Sequence, residues 1–374
     1  MKAADPMVLT AEQLRWVRLV GHRLTATDRA SDVVEAVSAV GGLQAQVPSS
    51  PGLAGRARID GFERRDLHTA LVTGRTLVKS WLQRGTLHLV PSAELALYAA
   101  AVGSSVTRQE TRLWERRGMP ADRVDDVNRA VVDALAGGPA TRMELADRVG
   151  AALGPPAGEI VGHPWGIGLK PAAASGLICF GAPDGAEVTF TRVDHWLGAW
   201  LRPWPEEQAR AALLHRFLLA NGPSTRRRFA RWSGLPAGEV AGAWSALASD
   251  LQPASVDGDR CWFLAGERFP VDPEIPPVRM LPVFDAFTLA ASEPSSVVDG
   301  DHAGEVFRKA GWISAVILAG GRAVGTWKLT AKGGTHQVAP SLFRPLTKPE
   351  RAGLDAEIAD VERFVAAGDG GDVD

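Results

Sequence analysis

The feature that most constrains how this chain can fold is that part of it is written twice. Residues Ala136–Gly150 read A-G-G-P-A-T-R-M-E-L-A-D-R-V-G and residues Ala220–Gly234 read A-N-G-P-S-T-R-R-R-F-A-R-W-S-G. Seven of these fifteen positions are identical at an offset of 84, including Gly138/Gly222, Pro139/Pro223, Thr141/Thr225 and Arg142/Arg226. Each copy follows an amphipathic segment, at 122–136 or 206–220, whose helix the Gly-Pro turn would stop. Each then offers a threonine where a new helix needs an N-cap. Helix, turn and a short helix ending in glycine is a helix-turn-helix pattern.

The segments downstream extend the reading. After the first copy, the runs I-C-F and V-T-F-T flank Ala182-Pro183-Asp184-Gly185; after the second, strand-like residues between Ala254 and Leu264 flank Asp257-Gly258. A turn dipeptide between β-branched or aromatic runs signals a hairpin. Helices closed by a hairpin make a winged helix, so units are expected over 121–195 and 205–268. A more diverged unit opens the chain. Thr10 and Gln13 suit a capping box, Leu14, Val17, Val20 and Leu24 recur at helical spacing, and a helix over 31–40 should stop at Gly41-Gly42. Val78 to Val90 then reads as a hairpin turning near Arg84-Gly85.

The expected architecture is therefore α+β. It has a winged helix at 8–95, a linker helix and second winged helix over 96–200, and a third over 201–268. Residues 276–367 should form a small β-barrel or curled sheet with a C-terminal helix, because G-W-I-S-A-V-I-L and R-A-V-G-T-W-K-L flank Gly320-Gly321. The tail 368–374 should be disordered.

Charge has to be read by position. The net charge is −2, yet residues 349–374 alone carry eight acidic and two basic side chains, so the remainder sums to +4. Arginine supplies 34 of the 41 basic residues, which suits bidentate phosphate contacts but is also what a GC-rich genome encodes. No apolar run approaches the roughly 18 residues of a membrane span, and Met1 to Thr10 lacks the apolar core of a secretion signal. A cytoplasmic protein, monomeric and not membrane-bound, is expected. Cys179 and Cys261 stand apart from each other and from any histidine pair, so two buried thiols are expected rather than zinc ligands. Phosphate loops, nucleophile elbows and His-Glu-x-x-His are absent, and no cofactor or metal is expected.

One short motif stands out. Gln44-Ala45-Gln46 follows the Gly-Gly stop and precedes Pro48. Eight glutamines in a chain of this length would produce a Gln-x-Gln only roughly 0.17 times by chance. If residues 44–46 are extended, both amides point the same way. L-Q-A-Q, W-L-Q-R-G-T-L-H-L-V, the Gly-Pro-x-Thr units, M-L-P-V-F-D-A-F and G-W-I-S-A-V-I-L-A-G-G-R together resemble the AlkZ/YcaQ-like family of winged-helix DNA glycosylases, over residues 8–367. The match is to the AlkZ-like branch, whose catalytic motif is Gln-aliphatic-Gln, where YcaQ-like members carry Gln-aliphatic-Asp; alanine is the smallest middle residue that motif admits. The resemblance implies three winged helices plus a β-barrel, double-stranded DNA carrying alkylated purines as partner, and hydrolysis of bulky N7-alkylguanines. It also implies crosslink unhooking and self-resistance to genotoxic natural products in some members, and Gln44 and Gln46 as the catalytic pair.

The chemistry agrees. Glutamine is neither acid nor base at a working pH. An N7-alkylguanine is already cationic and leaves as a neutral base, so a catalyst need only hold a water at C1′ and stabilise the oxocarbenium-like sugar. Two amide carbonyls can do both. No lysine adjoins the motif to act as a Schiff-base nucleophile, so strand cleavage is not expected. Other DNA-contact candidates are Arg84 at the first hairpin turn, His88 beside it, Arg226, Arg227, Arg228 and Arg231 at the start of the third unit's helix, and Arg322 beside Gly320-Gly321. His88 reads first as a half-buried strand histidine, and the arginines equally as a solvated basic face. A non-catalytic DNA binder or a transcriptional regulator built from the same winged helices remains the alternative.

Overall fold

A computed structural model describes residues 7–267, 269–270, 272–291, 293–332 and 335–367. The tail expected at 368–374 and the last residue of the 205–268 segment lie outside them. Helix outweighs strand, 51% to 18%, in small separate sheets, so the mixed α and β composition is as expected.

Local chemistry starts and stops the elements. The helix Ala11–Gly21 begins with a full capping box: Thr10 accepts from the Gln13 backbone N–H, and the Gln13 side chain accepts from that of Thr10 at 2.9 Å. Asp32 caps the helix Val33–Ala39. That helix ends where Gly41 and Gly42 take φ of 74° and 100°, a conformation that favours glycine over residues with a Cβ.

Both copies of the repeat place their threonine at an N-cap. Thr141 caps Arg142–Leu153, and the Glu144 carboxylate accepts in return from the Thr141 N–H at 2.7 Å. Thr225 starts Arg226–Ser233 by accepting from the Arg228 N–H at 3.2 Å, with no carboxylate to answer it. Each copy is followed by an antiparallel strand pair, Ile178–Phe180 with Thr189–Arg192 and Leu251–Val256 with Asp259–Leu264. In each, the residues just before the threonine-capped helix join the last strand of that pair. Ala140–Thr141 pairs with Phe190–Thr189, and Ser224 bridges Trp262. The second hairpin turns through Asp257 and Gly258, both left-handed.

The chain divides into two compact units. One takes the chain up to His68, Leu214–Trp232 and the chain from Leu247 onward; the other takes Thr69–Leu213 and Ser233–Ala246. The second unit is built on an apolar core around Trp81, Trp114, Val127, Leu145, Ile178 and Phe190. The antiparallel pair Leu77–Trp81 and Leu87–Pro91 supplies Trp81 to it. In the first unit, Leu19, Leu24, Leu281, Phe287 and Val316 form the corresponding apolar cluster.

The expected barrel is not formed. Strands Arg279–Leu281, Val316–Ala319, Arg322–Lys332 and Thr335–Leu342 make one open antiparallel sheet in that order. The helix Lys348–Ala366 packs on both the first and the last of them. Its Glu357 accepts from the Met280 N–H at 2.9 Å, and its Glu362 from the Val338 N–H at 2.9 Å. Donors that closure would need are satisfied by helix carboxylates, so the edges are covered rather than joined. Among the described residues, no helix is long and apolar enough to cross a membrane.

Candidate active site

The Gln44 segment is shaped from both sides. The left-handed Gly41-Gly42 turn delivers a two-residue strand, Leu43–Gln44, and a turn closed by Ser50 N–H to Val47 C=O at 3.0 Å leads into the helix Ser50–Arg56. The strand therefore ends at Gln44, and the chain bends at Gln46. A fully extended 44–46 does not occur, because the turn into the next helix begins too soon. Gln44 is 7% exposed and Ala45 3%, whereas Gln46 is open to solvent. One amide is held in a dry environment and the other faces water, with alanine anchoring the segment between them.

The same compact unit buries an unusual set of polar groups. His22 is fully buried, and its Nε2 meets Asn221 Oδ1 at 2.9 Å; since that oxygen only accepts, Nε2 carries the hydrogen. Burial, with Arg58 and Arg18 nearby, pushes the imidazole down to about 3, so it is neutral. Its ring meets Phe287 edge-on at 5.3 Å. Arg18 donates to the Phe287 carbonyl at 3.2 Å and lies over that ring; burial, with repulsion from Arg228, brings its guanidinium down to about 9. Arg58 and Asp285 form a bidentate pair with both bonds at 2.8 Å. Asp285 also caps the short helix Ala286–Leu289, so the M-L-P-V-F-D-A-F motif is a structural clasp. Sequence reasoning passed over His22, Arg18, Arg58 and Asn221. Their partners lie 199 to 269 residues away, and no periodic signal marks them.

The arginine candidates of this unit differ among themselves. Arg226, Arg227 and Arg231 are exposed, and Arg227 pairs with Glu293. Arg228 is half-buried; burial lowers its pKa and Cys261 opposes the shift. Arg322 is paired with Asp299, and a Cβ at the neighbouring Gly321 would meet Leu19 at 3.2 Å. The hairpin flank therefore lies against the first helix, and of its glycines only Gly320 is exposed.

Arg84 and His88 fall in the other unit. The turn is where the sequence placed it, Leu77–Trp81 to Leu87–Pro91, but its residues are not a free tip. Gln83 is 1% exposed, Arg84 has a φ of 60°, and the backbone of Arg84 lies 3.0 Å from where a Cβ on Gly234 would sit. Burial pushes the Arg84 guanidinium down to about 10. His88 is buried; its Nδ1 donates to the Thr86 carbonyl at 2.9 Å, and burial with Arg84 nearby lowers it to about 3. A neutral, enclosed imidazole offers no charge to a phosphate at neutral pH. The two cysteines are free and buried, and burial pushes their thiols up to about 12 for Cys179 and about 11 for Cys261.

Comparison with known proteins places these residues in context. A family model described as DNA glycosylase AlkZ-like matches residues 37–364, a span that includes Gln44 and Gln46. The interstrand DNA cross-link repair glycosylase of Streptomyces sahachiroi is 30% identical over 308 residues, covering 80% of this chain and 82% of that protein. The solved structure of Streptomyces sahachiroi DNA glycosylase AlkZ superposes with a TM-score of 0.84 at 26% identity, covering 96% of this chain and 98% of that one.

Proposed function

The chain belongs to the AlkZ-like family of DNA glycosylases, and on that premise we propose that it hydrolyses the N-glycosidic bond of bulky N7-alkylguanines in double-stranded DNA, using Gln44 and Gln46. The observation that carries this reading is the unequal setting of the two amides, one dry and one solvent-facing, two and four residues after a left-handed Gly-Gly turn. A fixed amide dipole in a dry environment stabilises a developing cation far more than one in water, because no solvent competes and nothing must reorganise. Gln44 suits that task. Gln46 is accessible and suits the other, holding the attacking water against C1′. The alkylated base departs as a neutral leaving group, so no general acid is required.

The repeated helix–hairpin segments support three winged-helix units, over 8–95, 121–195 and 205–268, that hold the duplex. The likeness to the Streptomyces sahachiroi interstrand DNA cross-link repair glycosylase supports extending the substrate range to interstrand crosslinks, and with it a role in resistance to a DNA-alkylating natural product.

The test is chemical. Duplex containing N7-methylguanine is incubated with the protein and assayed for free base, and separately a duplex crosslinked through N7 of two guanines is assayed for separation of its strands. Release of base with alkali-labile abasic sites and no direct strand breaks is expected. Intact substrate in both arms, or strand breaks without alkali, would contradict the proposal.

A further inference from the structure

The second compact unit carries a surface that the proposed chemistry does not use. The loop His163-Pro164-Trp165-Gly166 joins the helices Pro155–Gly162 and Lys170–Ala174, and Trp165 on it is 77% exposed. Exposed indole of this extent is unfavourable, since burying an aromatic side chain recovers roughly 1.5–3 kcal/mol. Disorder of the loop does not account for it. Gly166, with φ of 65°, sits so close to the Trp81 indole that a Cβ there would lie 2.6 Å from it. Trp114 Nε1 donates to the Ile167 carbonyl at 2.9 Å, the Trp165 N–H donates to His163 Nδ1 at 3.2 Å, and the Gly166 N–H donates to the His163 carbonyl at 2.9 Å. Two buried tryptophans brace the loop from beneath while the third is held outward.

The surroundings are apolar and basic. Met143, 56% exposed, lies 3.9 Å from where a Cβ on Gly162 would sit. The charged groups felt at the His163 ring are Arg117, Arg142 and Lys170, all positive. Lys170 is paired with Glu110 at 3.0 Å; among the described residues Arg117 and Arg142 have no ion-pair partner. An indole held outward on a loop within electrostatic reach of Arg117 and Arg142 suits nucleic acid, with groove or wedge contact from the ring and phosphate contact from the arginines. Duplex DNA offers both an apolar groove wall for the ring and phosphates for the guanidinium groups.

We propose that Trp165, with Arg117 and Arg142, forms an auxiliary duplex-DNA contact surface that anchors the protein on undamaged DNA as well as on its substrate. The choice of duplex DNA as occupant rests on the DNA glycosylase reading above; the surface itself rests on the exposure, bracing and charge just described. Ring and phosphate contacts of this kind act on affinity and leave the bond-breaking step alone.

The experiment measures binding of an undamaged duplex by fluorescence anisotropy across a salt series, for wild type, Trp165→Ala, Trp165→Phe and the double variant Arg117→Ala/Arg142→Ala. Loss of one aromatic wedge contact should weaken binding about tenfold, with phenylalanine restoring most of it. The double arginine variant should lower the slope of log K against log salt by about 2. Single-turnover excision at saturating enzyme should match wild type for all three. Wild-type affinity and slope in Trp165→Ala would overturn the proposal, as would a loss of excision at saturation with affinity unchanged. If the wild type excises nothing while Trp165 still governs affinity, the glycosylase reading fails and the contact surface stands. Because Trp165 is exposed, its replacement does not threaten the fold, and circular dichroism verifies this.

Discussion

The two largest fully buried side chains sit one in each compact unit, and they are of opposite kinds: Trp114 in the second and Arg58 in the first. Trp114 is surrounded by apolar residues and satisfies its single donor on the Ile167 carbonyl. Arg58 donates through its two terminal nitrogens to the Asp285 carboxylate and the Ala54 carbonyl. Nearby, Arg56 and Arg279 converge on Glu357 at 2.9 Å each, and His22 meets Asn221. An apolar core tolerates sliding and repacking, because dispersion and hydrophobic burial are nearly non-directional. A bidentate guanidinium–carboxylate pair has one register. The unit that carries Gln44 and Gln46 thus keys part of its interior with a fully buried, directional ion pair, as expected if its backbone must be held in a single arrangement.

The largest effect that tests this contrast comes from breaking the key. Asp285→Ala leaves the Arg58 charge buried and unpaired and should cost about 3–5 kcal/mol in denaturant unfolding. Replacing both residues by apolar ones of similar volume should cost much less. Equal costs for the single and double replacements would show that the pair confers no such dependence.

A second contrast concerns acid. Burial alone would raise the Asp285 carboxyl, but Arg58 and the Phe287 N–H outweigh it and hold its pKa below the ordinary range; Glu357 is likewise lowered, with Arg56 and Arg279 outweighing burial. Lowered folded pKa values mean stability that is present above the unfolded value of about 4 and lost as pH falls through the folded one. Glu110 in the second unit goes the other way, because burial outweighs Lys170 and raises it, so its contribution improves as pH falls. Native-state hydrogen exchange, corrected for intrinsic rates, should therefore show Ser50–Arg56 losing protection in acid while Leu95–Glu115 does not. Parallel losses would remove the distinction.

The smallest effect compares the two repeat copies. Thr141→Ala breaks a reciprocal capping box and Thr225→Ala a one-way cap, so each should cost about 1 kcal/mol, the first slightly more. Only the Thr141 cap should weaken in acid, since Glu144 titrates and Arg228 does not; its carboxyl is lowered by hydrogen bonds from Thr141.

Signals carried by neighbouring residues were legible in the sequence. The Thr10–Gln13 box, the Gly41-Gly42 stop, the Asp257-Gly258 turn and both repeat threonines needed only bonds between residues a few positions apart. Signals settled by distant residues were not. The strand Met7–Leu9 pairs in parallel with Ala254–Val256, and the C-terminal sheet stays open because Glu357 and Glu362 reach its edges. Turn chemistry located the bend at Arg84 but could not tell that Gln83 and Gly85 on either side of it would be buried. At the candidate site, pattern reasoning singled out the Gln44–Gln46 segment and expected both amides to point the same way if it were extended. The turn into the helix at Ser50 instead separates them into one buried and one exposed group.

That separation also shapes the decisive measurement, single-turnover excision of an N7-alkylguanine from duplex DNA by wild type, Gln44→Ala, Gln46→Ala, the double variant and Gln46→Asp. DNA affinity and Tm are recorded alongside. Gln46 is exposed, so its variants should melt like wild type, whereas removing the buried Gln44 amide should lower Tm modestly. Each alanine variant should excise roughly 10²–10³ more slowly with affinity retained, the double variant should lose less than the product of the two, and Gln46→Asp should keep part of the activity. Wild-type excision rates in both Gln44→Ala and Gln46→Ala would contradict the assignment of these residues to catalysis.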